Sequence, residues 1–381
     1  MLHKATRSRA AGRSDQGGDP RRRSPGVFVV SGPSHPQERT ELREAVGADN
    51  HGVPTLSLVV PATDRPPTLA RCLAAVALCD HPPDEVIVVE SPAGALPAVA
   101  RNAGAAEAHG EVLVFVDADV EVHADAFTLI RKRFANDGGL AALFGSYDDD
   151  PAEPDLVSTF RNLLHHYVHQ SSPGPATTFW TGLGAIRAAV FTGAGGFRVD
   201  PFPLATMEDV ELGMRLAASG FRIELDPDIQ GRHLKRWTLG RMVWTDLAHR
   251  GVPWVILLLQ EGRTSGALNL GWRHRLGAIL SLVAAVALAR RRPVVATAAA
   301  SGLVALNRPF YALLARRLGL PGAAAGVALH AIHHLTAIAA VPAGALAALL
   351  ERIGLEPEAG GLTQPASDTS ESASSAAPSS R

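Results

Sequence analysis

Cysteine is nearly absent from this chain: 381 residues carry two, Cys72 and Cys79. Seven positions apart on a helical pattern, they share a face but lie too far apart along the axis to pair easily. A disulfide framework is excluded as the basis of the fold, and reduced thiols in a cytoplasmic setting are expected. Net charge is lacking too. The 36 Lys and Arg against 37 Asp and Glu leave −1, so the overall balance names no partner, and nucleic acid is not expected among them. Acid is missing from one long stretch, Arg263 to Arg317, which holds nine arginines and no Asp or Glu. A secretory leader is not expected either. The first 24 positions carry seven Lys or Arg against two Asp among Gly, Ser and Pro, and no apolar run follows. Residues 1–53 are therefore expected to be a disordered basic tail.

What is present is a 46% hydrophobic content, enough for one large α/β domain with appendages. Its centre is the run Val112-Leu113-Val114-Phe115-Val116, mostly β-branched and apolar throughout, which ends at Asp117-Ala118-Asp119. Such a run reads as a strand buried on both faces, as in a parallel sheet. Ligands of open α/β sheets bind beyond the carboxyl ends of the strands, so both acids fall on the ligand side. Positions i and i+2 of an extended segment point the same way, and hard oxygen donors suit Mg²⁺ or Mn²⁺ when phosphate completes the shell.

Two further strands precede that run. Thr55 to Pro61 leads through Asp64 into a helix patterned on Leu69, Cys72, Leu73 and Val76, and Glu85 to Val89 ends in Glu90. Strand, helix, strand makes a βαβ unit with a right-handed crossover. A small-residue helix over 98–109 then feeds the Asp117 strand. Three parallel strands thus end in Asp64, Glu90 and Asp117/Asp119 on one edge, a convergence that packing alone does not explain.

Downstream, Leu156 to Gln170 reads as a helix bearing His165, His166 and His169. No Cys or acid clusters with them, so a flank near substrate or membrane is expected rather than zinc. Thr177 to Arg187 combines small residues with Trp180 and Gly182, which either offers a flat apolar face to a sugar ring or is a core strand with Trp180 as filler. Thr206 can cap a helix whose first turn holds Glu208, Asp209 and Glu211, acids favoured at that end by the dipole. Basic residues then gather around His233-Leu234-Lys235-Arg236-Trp237, and Lys235 and Arg236 suit phosphate charge.

These stretches, taken in order, resemble family 2 glycosyltransferases, which have the GT-A fold. The matching pieces are Pro61-Ala62-Thr63, Glu90-Ser91, Ala100-Arg101-Asn102-Ala103-Gly104, Asp117-Ala118-Asp119, Gly195-Gly196-Phe197 with Glu208-Asp209, and His233-x-x-Arg236-Trp237. Two departures are visible. Glu90-Ser91 stands where the family usually has an Asp pair, and His233 replaces the Gln of the Gln-x-x-Arg-Trp motif of processive members, which leans away from a long-chain polymer synthase. The resemblance implies an inverting transfer from a UDP- or GDP-linked sugar. In it Asp209 is the base and Glu208 its support; Asp119, Asp117 and His233 hold a divalent metal. Asp64, Glu90, Arg101, Asn102, Asp117, Trp180, Gly182, His233, Arg236 and Trp237 line the donor site.

Beyond Leu259 the chain turns apolar. Val252 to Leu259 is short enough to lie along an interface; Leu276–Ala289 and Pro293–Asn307 are charge-free but below the ~20 residues of a spanning helix, and Leu318–Leu350 exceeds that length. The expected organisation is a GT-A domain over 54–260, membrane-associated helices over 261–352 and a disordered tail over 353–381. The expected setting is the cell membrane with the catalytic domain cytoplasmic, and the expected acceptor is a lipid-linked or cell-envelope glycan. Two rival readings are a membrane-anchored nucleotide-sugar binder without activity, which needs no base at Asp209, and a nucleotidyltransferase. The latter needs a glycine-rich, basic loop after the first strand, and Pro61-Ala62-Thr63-Asp64-Arg65 offers one Arg and no Gly.

Overall fold

A computed structural model describes residues 52–199, 206–261 and 271–353. The tails expected over 1–53 and 353–381 lie almost wholly outside those residues. β1 (Leu56–Pro61), α1 (Leu69–Ala77), β2 (Glu85–Val89), α2 (Pro97–Glu107) and β3 (Val112–Val116) form the expected opening, with β1 parallel to both β2 and β3. The run continues through β4 (Val120–Val122), α3 (Ala126–Asn136), β5 (Leu140–Tyr147), α4 (Leu156–Gln170), β6 (Gly174–Ala176), β7 (Leu183–Arg187), α5 (Ala188–Gly193), α6 (Glu208–Ala218) and β8 (Arg222–His233).

The strands make one mixed sheet ordered β2-β1-β3-β7-β5-β8-β4, with β6 also on β8. Alternation along the strands divides the core between the two faces. Leu58, Val60, Val112, Val114 and Val116 face the side covered by α1 and α3. Val59, Leu113 and Phe115 face the other side, with Phe144, Phe179, Phe191, Phe197 and Leu212. All five residues of β3 are buried, as a strand covered by helices on both faces must be. Both cysteines are free thiols in the first core.

Of the stretch 177–187, for which a core strand is one of two readings, only Leu183–Arg187 is strand, and β8 is long, running from Arg222 to His233. That length carries the chain to the Asp-x-Asp end, where His233 stands opposite Val120.

After β8 come α7 (Leu239–Trp244), a π-helical segment (Thr245–Gly251), α8 (Val252–Glu261), α9 (Trp272–Ala289), α10 (Pro293–Leu306) and α11 (Arg308–Arg352). α11 is interrupted at Gly319, whose φ of 70° a side chain would resist. α9 and α11 are each long and apolar enough to cross a membrane. The charge-free count fell short for α9 because the helix takes in Arg273 and Arg275, charges that suit a membrane interface. A third core joins α4 to α11 through Phe160, Leu163, Trp237, Met242, Phe310 and Leu314.

Candidate active site

Three pieces of backbone meet beyond the end of β3. The Asp117 N–H donates to the Gly182 carbonyl (3.3 Å), and the Leu234 N–H donates to the Asp119 carbonyl (2.8 Å). The sequence pattern suggested that Asp117 and Asp119 extend from the strand and face one way. Instead the strand stops at Val116 and a turn closes from the Val120 N–H to the Asp117 carbonyl (3.0 Å), so the two side chains take different partners.

Asp117 is bound by Arg101. From α2 the buried guanidinium donates through Nη2 to Asp117 Oδ1 and through Nη1 to Glu208 Oε1, each at 2.6 Å. Burial works against the charge of Arg101, but Asp117, Glu208 and Asp209 outweigh it and raise its pKa. Glu208 is itself buried, and loss of hydration pushes its carboxyl up to about 7 despite the guanidinium.

Asp209, the next residue, turns to the loop before β7. Its Oδ2 accepts from the Thr181 N–H (3.2 Å) and hydroxyl (3.3 Å), and its Oδ1 accepts from the Val210 N–H (2.7 Å). This approach depends on Gly213, one turn further along α6 on the same face. A Cβ there would collide with the Thr178–Phe179 backbone. Burial raises the Asp209 carboxyl, with Arg101 acting in the opposite direction. Thr206, expected to cap α6, donates instead to the His249 carbonyl (2.6 Å), and the residue preceding the helix is Met207.

Asp119 lies on the other side. Its Oδ2 is 3.7 Å from His233 Nε2 and 4.0 Å from Lys235 Nζ. Burial favours its neutral form, yet His233 and Lys235 hold its carboxyl below the usual range. His233 is fixed by stacking on Tyr147, with centroids 4.1 Å apart and planes 12° from parallel. Trp180 is half-buried and packs against Tyr147, His165 and His169, and a Cβ at Gly182 would strike its ring. Trp237 is buried, with Lys235 5.1 Å and Arg161 5.4 Å from its ring centroid.

The structure therefore brings Arg101, Asp117, Glu208 and Asp209 together, and Asp119 with His233. Asp64, Glu90 and Arg236 stand at exposed positions around this edge. Asn102 is otherwise engaged: its amide donates to the Phe197 carbonyl (2.7 Å) and accepts from the Phe197 N–H (2.9 Å), which ties down the Gly195–Phe197 turn. Sequence reasoning passed over Thr181, Tyr147 and Gly213. A glycine inside an otherwise good helix was the one available signal of a close approach.

Among the described residues no group of three or more His, Cys, Asp or Glu converges as a metal cage. Asp119 with His233 is a two-donor set, a carboxylate oxygen and an imidazole nitrogen. That suits Mg²⁺ or Mn²⁺, which complete their shell from substrate phosphates and water rather than from protein. The donor set fits such an ion.

Residues 90–192 match the family model for glycosyl transferase family 2. The chain carries a family 2 glycosyltransferase domain. Its mixed sheet, with the Asp-x-Asp turn at the end of β3, is of the GT-A type. The chain is similar to two solved structures. Mannosyltransferase PcManGT from Pyrobaculum calidifontis, in complex with GDP-Man and Mn²⁺, is 19% identical over 83% of this chain and 96% of that one, with a TM-score of 0.47. S. aureus TarS 1-349 is 16% identical over 70% of this chain and 92% of that one, with a TM-score of 0.35. At these values neither structure decides the donor or acceptor of this glycosyltransferase. No curated protein matches the chain.

Proposed function

We propose that the chain is an inverting, metal-dependent glycosyltransferase that moves a sugar from a UDP- or GDP-linked donor to a hydroxyl of a lipid-linked or cell-envelope glycan at a membrane. One observation carries this reading: Asp209 is a carboxylate of raised pKa at the start of α6, held by Thr181 and joined through Glu208 and Arg101 to the Asp-x-Asp turn. A binding protein has no use for such a base.

Asp209 takes the proton of the acceptor hydroxyl, and its raised pKa makes it a stronger base than an exposed aspartate. The Thr181 N–H fixes the oxygen Oδ2 in place. The acceptor oxygen forms its bond to the anomeric carbon as the bond from that carbon to the diphosphate oxygen breaks, and attack from the opposite face inverts the configuration. The electron pair leaves with the nucleoside diphosphate. Lys235, beside Asp119, and the exposed Arg236 are the nearby cations for that charge. Asp119 and His233 would hold a divalent cation, which neutralises diphosphate charge when bound. The apolar helices α9 and α11 supply the membrane attachment.

The test is nucleotide release by the full chain in detergent with Mn²⁺ or Mg²⁺, across UDP- and GDP-sugars, with and without lipid extract. Release that needs metal, favours one donor and falls about 10²–10⁴-fold in Asp209→Asn supports the proposal. Equal release by both proteins removes Asp209 as the base. Release from no donor puts the binding-only reading first.

A further inference from the structure

Arg101 matches the family's Ala-Arg-Asn-x-Gly segment, which implies a place on the nucleotide. Its surroundings argue otherwise. The residue is 4% exposed, both terminal nitrogens are engaged at 2.6 Å, and the remaining Nε is buried without a partner. Two of its five N–H donors are spent on carboxylates, and the side chain is almost out of solvent.

What it does reach is informative. Asp117 follows the last residue of β3 and Glu208 opens α6, 107 positions further along the chain from Arg101. The adjacent Asn102 holds Phe197 by both backbone groups. Two consecutive residues of α2 thus fasten the turn before the base helix and the helix's first residue to the end of β3. Phe197 packs under the same guanidinium, 5.9 Å from ring centroid to Arg101 Cζ.

We infer that Arg101 is a positioning residue for sugar transfer: by bridging Asp117 and Glu208 it sets where Asp209 stands relative to the donor and keeps a positive charge beside it, without touching the nucleotide. This rests on the proposed transferase reading. Removing the cation leaves Asp117, Glu208 and Asp209 near one another in a poorly hydrated site, so the base becomes harder to ionise. Removing the bridge frees the start of α6, and small displacements of a base are costly in rate.

The experiment uses the full chain in detergent with Mn²⁺ and compares wild type, Arg101→Gln, Arg101→Lys and Glu208→Gln. Steady-state rates are measured against pH with the best donor, and affinity for UDP and GDP by calorimetry. For Arg101→Gln the expected result is a kcat about a hundredfold lower, a nucleotide affinity within about twofold of wild type, and an acid limb of the rate profile moved to higher pH by about one unit. Arg101→Lys restores the limb but not the full rate, because one ammonium keeps the charge and loses the planar two-way bridge. Glu208→Gln keeps the cation and cuts one arm of the bridge, so it lowers kcat with the limb at or below its wild-type position. That variant carries the test if Arg101→Gln does not fold. A tenfold or greater loss of nucleotide affinity in Arg101→Gln with an unmoved limb would overturn the inference and put Arg101 on the nucleotide. Loss of rate in every Arg101 and Glu208 variant with all limbs unmoved also overturns it, leaving only a structural role. If wild type itself neither binds nucleotide nor releases it from any donor, the transferase reading fails and takes this inference with it.

Discussion

Two buried guanidiniums anchor two ends of the molecule. Arg101 joins two carboxylates, Asp117 and Glu208, at the candidate active site. Arg161 on α4 joins one, Asp246 of the π-helical segment, at 2.6 Å, and Asp246 is shared with His333 of α11 at 2.7 Å. The surplus of acid around Arg101 raises its pKa, whereas burial lowers that of Arg161, with Asp246 opposing and the nearby Arg250 reinforcing the effect. Carboxylates respond in the opposite sense. Glu208 and Asp209 are pushed up by burial, while Asp246, equally out of water, is held well below the usual range by Arg161 and His333. An acid-rich site makes a base; a cation-rich site makes a clamp. The second joins the sheet domain to the helices that follow, through the core shared by Phe160, Trp237 and Phe310.

The largest effect expected is on the clamp. Asp246→Ala leaves Arg161 buried opposite no carboxylate and should cost about 3–5 kcal/mol in denaturant unfolding. Glu208→Gln leaves Arg101 its bond to Asp117 and should cost less, about 1–3 kcal/mol. Equal losses would erase the distinction between the two ends.

The pH dependence gives a second contrast, opposite in sign. A carboxyl raised when folded binds its proton more tightly in the native state, so Glu208 lowers stability as pH rises from about 4.3, its unfolded value, to about 7. Asp246, depressed when folded, contributes stability that is complete above its unfolded value of about 3.9 and is lost as pH falls further. Unfolding of the two variants Glu208→Gln and Asp246→Asn against pH should show the first slope flattened between about 4.3 and 7 and the second below about 4. The same slope in both would contradict the assignment.

The smallest effect is at the surface between these ends. Arg317 on α11 pairs with Asp149 at 2.5 Å with 38% of its side chain exposed. Arg317→Ala should change stability by about 0–1 kcal/mol and leave donor kinetics unaltered. A larger change would mean that this contact, and not Asp246, is the stronger tie between α11 and the sheet domain.

Much of this was legible in the chain. The run Val112–Val116 announced a strand covered on both faces because five apolar, mostly β-branched residues stopped abruptly by acid suit a strand buried on both sides. The small-residue helix over Ala98 announced close packing on it, and Asp117-Ala118-Asp119 announced the functional edge. Less legible was how the acids would divide. A period of two put Asp117 and Asp119 on one side, but a turn intervenes and gives one to Arg101 and the other to His233. Nor could Thr181 be read as the partner of Asp209, since a hydroxyl and an N–H become a cradle only when Gly213 lets α6 press onto that loop.

By itself the sequence determined the βαβ opening, the edge at which the acids gather and the apolar character of the C-terminal third, because hydrophobic period and chain breakers are local. Tertiary structure alone decided which cation meets which acid. Arg101 and Glu208 are 107 positions apart, Arg161 and Asp246 85, and ion pairing in a poorly hydrated interior depends on distance in space rather than along the chain.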